Sequence, residues 1–120
     1  MEGIYDRRIS AYRNMTDTAG TEVTLRQFLF STRHIAEIDH LRSVENEDEQ
    51  KRLKKLLPQA TISGVFSYRD AQHLTRHSGL ICIDIDAKDN PGMDAEEVKQ
   101  RLAQFDEVAY VGLSVRGKGL

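Results

Sequence analysis

Cysteine is almost missing from this chain. Cys82 is the only one in 120 residues, which rules out an intramolecular disulfide and a zinc site built on a cysteine cluster. Tryptophan is absent and proline occurs twice. No apolar run approaches the ~20 residues that span a bilayer. The N-terminus carries no signal-peptide pattern, so no membrane association and a cytoplasmic address are expected. An excess of charge of one sign is lacking too. Lys and Arg number 17 against 19 Asp and Glu, a formal net charge of -2, so any nucleic-acid surface has to be a local patch. What is present is a globular composition, 30% charged and 39% hydrophobic, long enough to bury one core.

The most informative stretch is Leu80-Ile81-Cys82-Ile83-Asp84-Ile85-Asp86, an apolar run that ends in two acids one residue apart. Read as a buried strand, it puts Ile81, Ile83 and Ile85 on one face and Cys82, Asp84 and Asp86 on the other. Two ionised carboxylates about 7 Å apart along a strand repel and are costly to desolvate unless a cation, a base or solvent meets them. A divalent metal explains the pair economically. A plainer reading has Asp84 capping a turn and Asp86 opening the loop Ala87-Lys88-Asp89-Asn90-Pro91-Gly92. A phosphatase-type D-x-D is a third option, but Ala87-Lys88 stands where a small hydroxyl residue is expected. Cys82 reads as a small core residue rather than a nucleophile.

Val108 to Leu113 reads as a second strand running into Ser114-Val115-Arg116-Gly117-Lys118-Gly119-Leu120. Glycines alternating with cations suit a phosphate. Gly117 and Gly119 let backbone approach an anion, Ser114 offers a hydroxyl and an amide, and Arg116 and Lys118 bring positive charge. A solvated hairpin turn is the competing reading. A carboxylate pair with a Gly/cation turn is the more specific combination, because a nucleoside triphosphate needs both metal and phosphate contacts.

Lys54-Lys55-Leu56-Leu57-Pro58, Ser63-Gly64-Val65-Phe66, the run from His77 to Asp86 and the run from Ser114 to Leu120 together resemble the VirE N-terminal domain of bacterial mobile-element proteins. That family is in turn similar to the archaeo-eukaryotic primase-polymerase superfamily. The resemblance covers about Lys54 to Leu120. It implies that Asp84 and Asp86 are catalytic acids holding Mg²⁺ or Mn²⁺, and that Ser114, Gly119 and Leu120 open a second motif whose histidine would be the next residue. Val115 stands where that motif usually has glycine, and a later third carboxylate has no place in the sequence.

The resemblance further implies a replication-associated domain. In the full-length protein it would act as a DNA primase or nucleotidyltransferase, joining a nucleoside triphosphate to a 3′-hydroxyl with two metals ~4 Å apart. Arg116, Gly117 and Lys118 are expected among the phosphate contacts. Implied partners are DNA, single-stranded or primer-template, and a helicase in the same protein or complex. The isolated chain is expected to be inactive. The alternative is a non-catalytic DNA-binding module that recruits a helicase or primase. Residues 1–120 then make a single domain or the N-terminal part of a primase-polymerase-like domain. Its expected class is mixed α/β (α+β), with helices packed on a mixed sheet and a core like the RNA-recognition fold.

Elsewhere, Ile4 to Arg13 reads as a strand and Asn14 to Thr21 as turns. Thr24 caps a helix through Phe30, and Ile35, Ile38 and Leu41 give core contacts from a second helix. Glu45 to Leu57 reads as a charged helix with Glu47–Lys51 and Asp48–Arg52 pairs, its cations facing solvent or a phosphate backbone. Gln59 to Phe66 is expected as one strand, and Ser67 to Arg76 as a polar connection or helical turn. Asp94 and Glu97 resemble a capping box, followed by the apolar stripe Ala95, Val98, Leu102 and Phe105. Strand, helix and strand over residues 80–113 would form a βαβ unit. His34 and His40 do not share a helix face. His73 and His77 would be neighbours in a helix, without a zinc motif.

Overall fold

The computed structural model describes residues 3–120. Strand β1 (Arg8–Tyr12) is the centre of the architecture, flanked by β2 (Thr21–Thr24) and β3 (Gln59–Thr61) in an antiparallel sheet of order β2-β1-β3. A second antiparallel pair joins β4 (Gly64–Phe66) to β5 (Leu74–His77). The mixed α/β class holds, but in place of the expected mixed sheet both sheets are wholly antiparallel. The expected strand over Ile4 to Arg13 is shorter, because Ile4–Asp6 winds into a 3-10 turn first. The single strand expected over Gln59 to Phe66 divides into β3 and β4, which lie in different sheets.

Alternation explains the core. Ile9 and Tyr12 of β1 are buried together with Leu25, Leu41 and Leu57. Buried Ser10 joins the two sheets, since its hydroxyl accepts from the Phe66 amide at 3.0 Å. Arg69 lies over the Tyr12 ring, 4.5 Å from its centroid, and donates to the Met15 carbonyl at 3.1 Å.

Helix α1 (Leu25–Leu29) begins as expected at Thr24, whose hydroxyl accepts from the Gln27 amide while Gln27 answers with its side chain. Helix α2 (Ile35–Ser43) buries Leu41 but leaves Ile35 exposed, so its expected apolar stripe is only partly used. Helix α3 (Glu47–Leu56) starts on the Asn46 cap. Its ion pair is Arg52 with Glu49, at 2.6 Å, and neither the expected Glu47–Lys51 pair nor the expected Asp48–Arg52 pair forms among the described residues. Buried Gln50 ties α3 to α2 by donating to the Leu41 carbonyl at 3.3 Å. His73 and His77 are not helical neighbours: His73 ends a 3-10 turn against Asp70, and His77 ends β5.

The C-terminal third departs most from expectation. Residues 80–86 and 108–113 are not strands, so no βαβ unit forms. Ile81 and Ile83 are 79% and 70% exposed, and Cys82 is exposed as well. The apolar run is therefore neither the buried strand nor the core element that its composition predicts. Helix α4 (Ala95–Leu102) forms between these segments, capped by the Asp94 carboxylate on the Glu96 and Glu97 amides. It buries none of its residues, and Phe105 beyond it is 60% exposed. Tethers from the N-terminal part hold this third in place. Tyr5 donates to the Ala109 carbonyl, Phe30 packs edge-on to Tyr110, and Arg42 reaches the terminal turn. The radius of gyration, 15.1 Å, exceeds the about 14 Å that scaling gives for this length, in keeping with the open packing of the last third.

Candidate functional site

The two segments singled out in the sequence meet at one pair of residues. The Ile85 amide donates to the Leu120 carbonyl at 2.9 Å, and the Leu120 amide returns a bond to the Ile85 carbonyl at 2.9 Å. Such reciprocal bonding between the same two residues belongs to antiparallel strands. Residue 85 lies between the acids, so the pairing sets Asp84 and Asp86 beside the turn that ends the chain. Gly119 makes this approach possible. It is buried, and a Cβ there would overlap the Ile85 carbonyl oxygen.

The turn itself is well organised. The Gly117 amide donates to the Ser114 carbonyl at 2.7 Å, and the Ser114 amide donates to the Gly119 carbonyl at 2.8 Å. The Ser114 hydroxyl accepts from the Gly119 amide at 3.1 Å. Gly117 has φ +76°, in the left-handed region where glycine carries no steric penalty. The Ser114, Gly117 and Gly119 amides are thus spent on internal bonds, and Ser114 uses its hydroxyl as an acceptor. The groups left for an anion are the Arg116 and Lys118 side chains and the Val115, Arg116 and Lys118 amides, none of which makes a hydrogen bond or ion pair among the described residues.

Arg42 is the residue that the sequence did not flag. From α2 its Nε donates to the Val115 carbonyl at 3.0 Å and its Nη2 to the Ser114 carbonyl at 3.2 Å. One guanidinium bridging two successive carbonyls fixes the turn and adds a third cation beside Arg116 and Lys118. A separation of 72 residues between Arg42 and Ser114 leaves no local signal of that contact.

The acids differ in their surroundings. Asp86 caps the 3-10 turn Ala87–Asp89, with Oδ1 accepting from the Lys88 amide at 3.0 Å, and its own carbonyl accepts from Asn90 at 2.8 Å. The plain reading makes Asp84 the cap; the structure gives that role to one carboxylate oxygen of Asp86 instead, while the other makes no hydrogen bond among the described residues. Asp84 is exposed and makes no hydrogen bond among the described residues. Partial burial, and then the Asp84 carboxylate, push the Cys82 thiol above its ordinary value.

No group of three or more His, Cys, Asp or Glu side chains gathers as a metal cluster among the described residues. Magnesium commonly takes one or two carboxylates from a protein and completes its octahedron with water and substrate phosphates. Asp84 and Asp86 match that arrangement in the number and type of their groups. They do not make an all-protein cage.

By architecture this is an α+β domain whose candidate site joins an acid pair to a glycine/cation turn. A family model described as BT4734-like, N-terminal domain matches residues 51–120, and the chain belongs to that family. The match takes in both halves of the site, whereas β1, β2 and Arg42 lie before it. No curated protein and no solved structure matches the chain. No helix among the described residues is long and apolar enough to cross a membrane.

Proposed function

We propose that this domain contributes to metal-dependent nucleotidyl transfer in a replication-associated, primase-polymerase-like protein. The observation that carries the reading is the Ile85–Leu120 pairing, which sets two acids beside a cation-bearing turn although they lie far apart in sequence. A nucleoside triphosphate requires that combination of acidic and cationic groups.

In the proposed reaction a primer 3′-hydroxyl oxygen bonds to the α-phosphorus of the triphosphate. Pyrophosphate leaves, and the hydroxyl proton passes to solvent or to a nearby base. Bound Mg²⁺ or Mn²⁺ would supply charge neutralisation at the phosphates. Asp84 and the free oxygen of Asp86 would hold that cation. Arg116 and Lys118 would bind the outer phosphate oxygens, and Arg42 would hold the turn so that those cations stay aligned with the acids. A triphosphate is the first partner, with single-stranded or primer-template DNA as the second and a helicase in the same protein or complex as an associated activity.

The second reading, a non-catalytic DNA-binding module that recruits a helicase or primase, draws on the use of Asp86 as a cap and on the half-buried Arg116 and exposed Lys118. The two readings separate in one experiment. Arg116→Ala with Lys118→Ala should weaken Mg²⁺-triphosphate binding by about tenfold or more, and single-stranded DNA binding much less. The nucleotide affinity should also fall as salt rises. If DNA affinity falls most and its salt slope becomes shallower, the cations track a nucleic-acid backbone and the module reading stands.

A further inference from the structure

A second concentration of positive charge shares no residue with the acid pair or the terminal turn. The start of β1 and the end of β5 flank an open cavity of about 250 Å³ lined by Arg7, Arg8, Arg76, His77 and Ser78. At about 30 Å³ per water molecule, it has room for a phosphate group and its hydration. We propose that this cavity is an anion site that takes one phosphate group, of the kind carried by a nucleic-acid backbone, a nucleotide or free pyrophosphate.

The charge balance supports an anion. Three guanidiniums face one carboxylate, that of Glu22, which lies 3.8 Å from Arg8 and 3.5 Å from Arg76. Both contacts are long and half exposed, so they hold the arginines only loosely. With His77 neutral, the cavity keeps a surplus of two positive charges. Arginine forks match phosphate geometry with paired N–H groups, and three of them line this one cavity.

Part of the cavity wall is also fixed in advance. Arg7 is fixed by donation from Nη1 to the Ser78 carbonyl at 2.6 Å, and its other N–H groups make no hydrogen bond among the described residues. Gly79 permits this, because a Cβ there would overlap the Arg7 guanidinium, and its φ of +79° suits glycine. The Gly79 amide donates to His77 Nδ1 at 2.8 Å. That bond makes Nδ1 the acceptor and assigns the ring proton to Nε2. His77 therefore brings a donor to the cavity without having to be charged. Ser78 is itself anchored, its hydroxyl donating to the Ile62 carbonyl at 2.6 Å and its amide to the Ser63 carbonyl at 2.8 Å. The wall carrying Arg76 and His77 is thus braced against the β3–β4 connection.

The test is a backbone-amide NMR titration of the whole chain with inorganic pyrophosphate and, separately, with a short 5′-phosphorylated oligothymidine. Saturable shifts are expected at residues 7–8 and 76–79 with at least one of the two probes. They should weaken as sodium chloride is raised and become at least tenfold weaker in Arg8→Gln with Arg76→Gln. Glutamine keeps much of the side-chain stem, and unchanged shifts in α3 would report an intact fold. Glu22→Gln gives an independent check in the other direction, since removing the competing carboxylate should tighten binding severalfold. Tighter binding of the oligonucleotide identifies a nucleic-acid backbone as the source of the phosphate, and tighter binding of pyrophosphate identifies a nucleotide or free phosphate. Shifts confined to residues 114–119, no saturation with either probe, or equal affinity in the double glutamine variant would overturn the assignment. Loss of metal binding at Asp84 and Asp86 leaves this prediction intact, so the two proposals fail separately.

Discussion

Gly119→Ala probes the junction on which the proposed site depends. The Cβ of alanine would overlap the Ile85 carbonyl oxygen, so the terminal turn must move away from the acids. Two backbone hydrogen bonds, each 2.9 Å long, join Ile85 to Leu120. At about 1 kcal/mol net per bond, losing both costs about 2 kcal/mol, a factor of about 30 in the opening equilibrium. Amide hydrogen exchange reads this directly, because local opening sets the rate at such sites. In the variant, the Ile85 and Leu120 amides should exchange about 30-fold faster while those of β1 keep their rates. Affinity for Mg²⁺-triphosphate should fall in parallel as Arg116 and Lys118 separate from Asp84 and Asp86. Unchanged exchange at residues 85 and 120 would refute the close-approach argument. Equal acceleration throughout β1 would assign Gly119 to global stability instead of to the junction.

If Asp84 and Asp86 share one cation, Mn²⁺ should broaden the NMR signals of residues 84–86 first, and Asp84→Asn with Asp86→Asn should abolish this without unfolding the chain; uniform broadening counts against the site. Asp17 accepts from the Arg13, Ala19 and Gly20 amides and faces the Arg13 guanidinium, and the Arg13 amide is the largest of the causes that hold its carboxyl below the usual carboxylate range. Its contribution is fully present above the unfolded-state value of about 3.9 and is lost as pH falls through the lower folded value. Carboxyl-carbon NMR should show that lower midpoint, and a midpoint at or above the unfolded value would contradict it. Asp84→Asn should modestly accelerate alkylation of Cys82 near pH 8, since Asp84 is the smaller of two causes that raise the thiol and the thiolate is the reactive form; an unchanged rate would separate the two side chains.

Local chemistry decided what could be read from the sequence alone. Thr24 and Gln27 cap α1, Asp94 caps α4, and a charged run ending at Leu57 before Pro58 makes α3, because capping and helix periodicity need only neighbours within four residues. The candidate acids and the glycine/cation turn were legible as residue types, and the mixed α/β class followed from the succession of elements. The fate of the apolar run Leu80–Asp86 was not legible. Alternation states which residues share a face, but a strand exists only if another backbone pairs with it, and here that pairing is confined to Ile85 with Leu120. Tertiary structure also decided the split of residues 59–66 between two sheets, the Arg42 clamp on Ser114 and Val115, and the gathering of Arg7, Arg8 and Arg76 around one cavity. Each of these joins groups distant in sequence or assigns neighbours to different partners, and nothing in the order of residues along a chain encodes such a meeting until the backbone closes the loop between them.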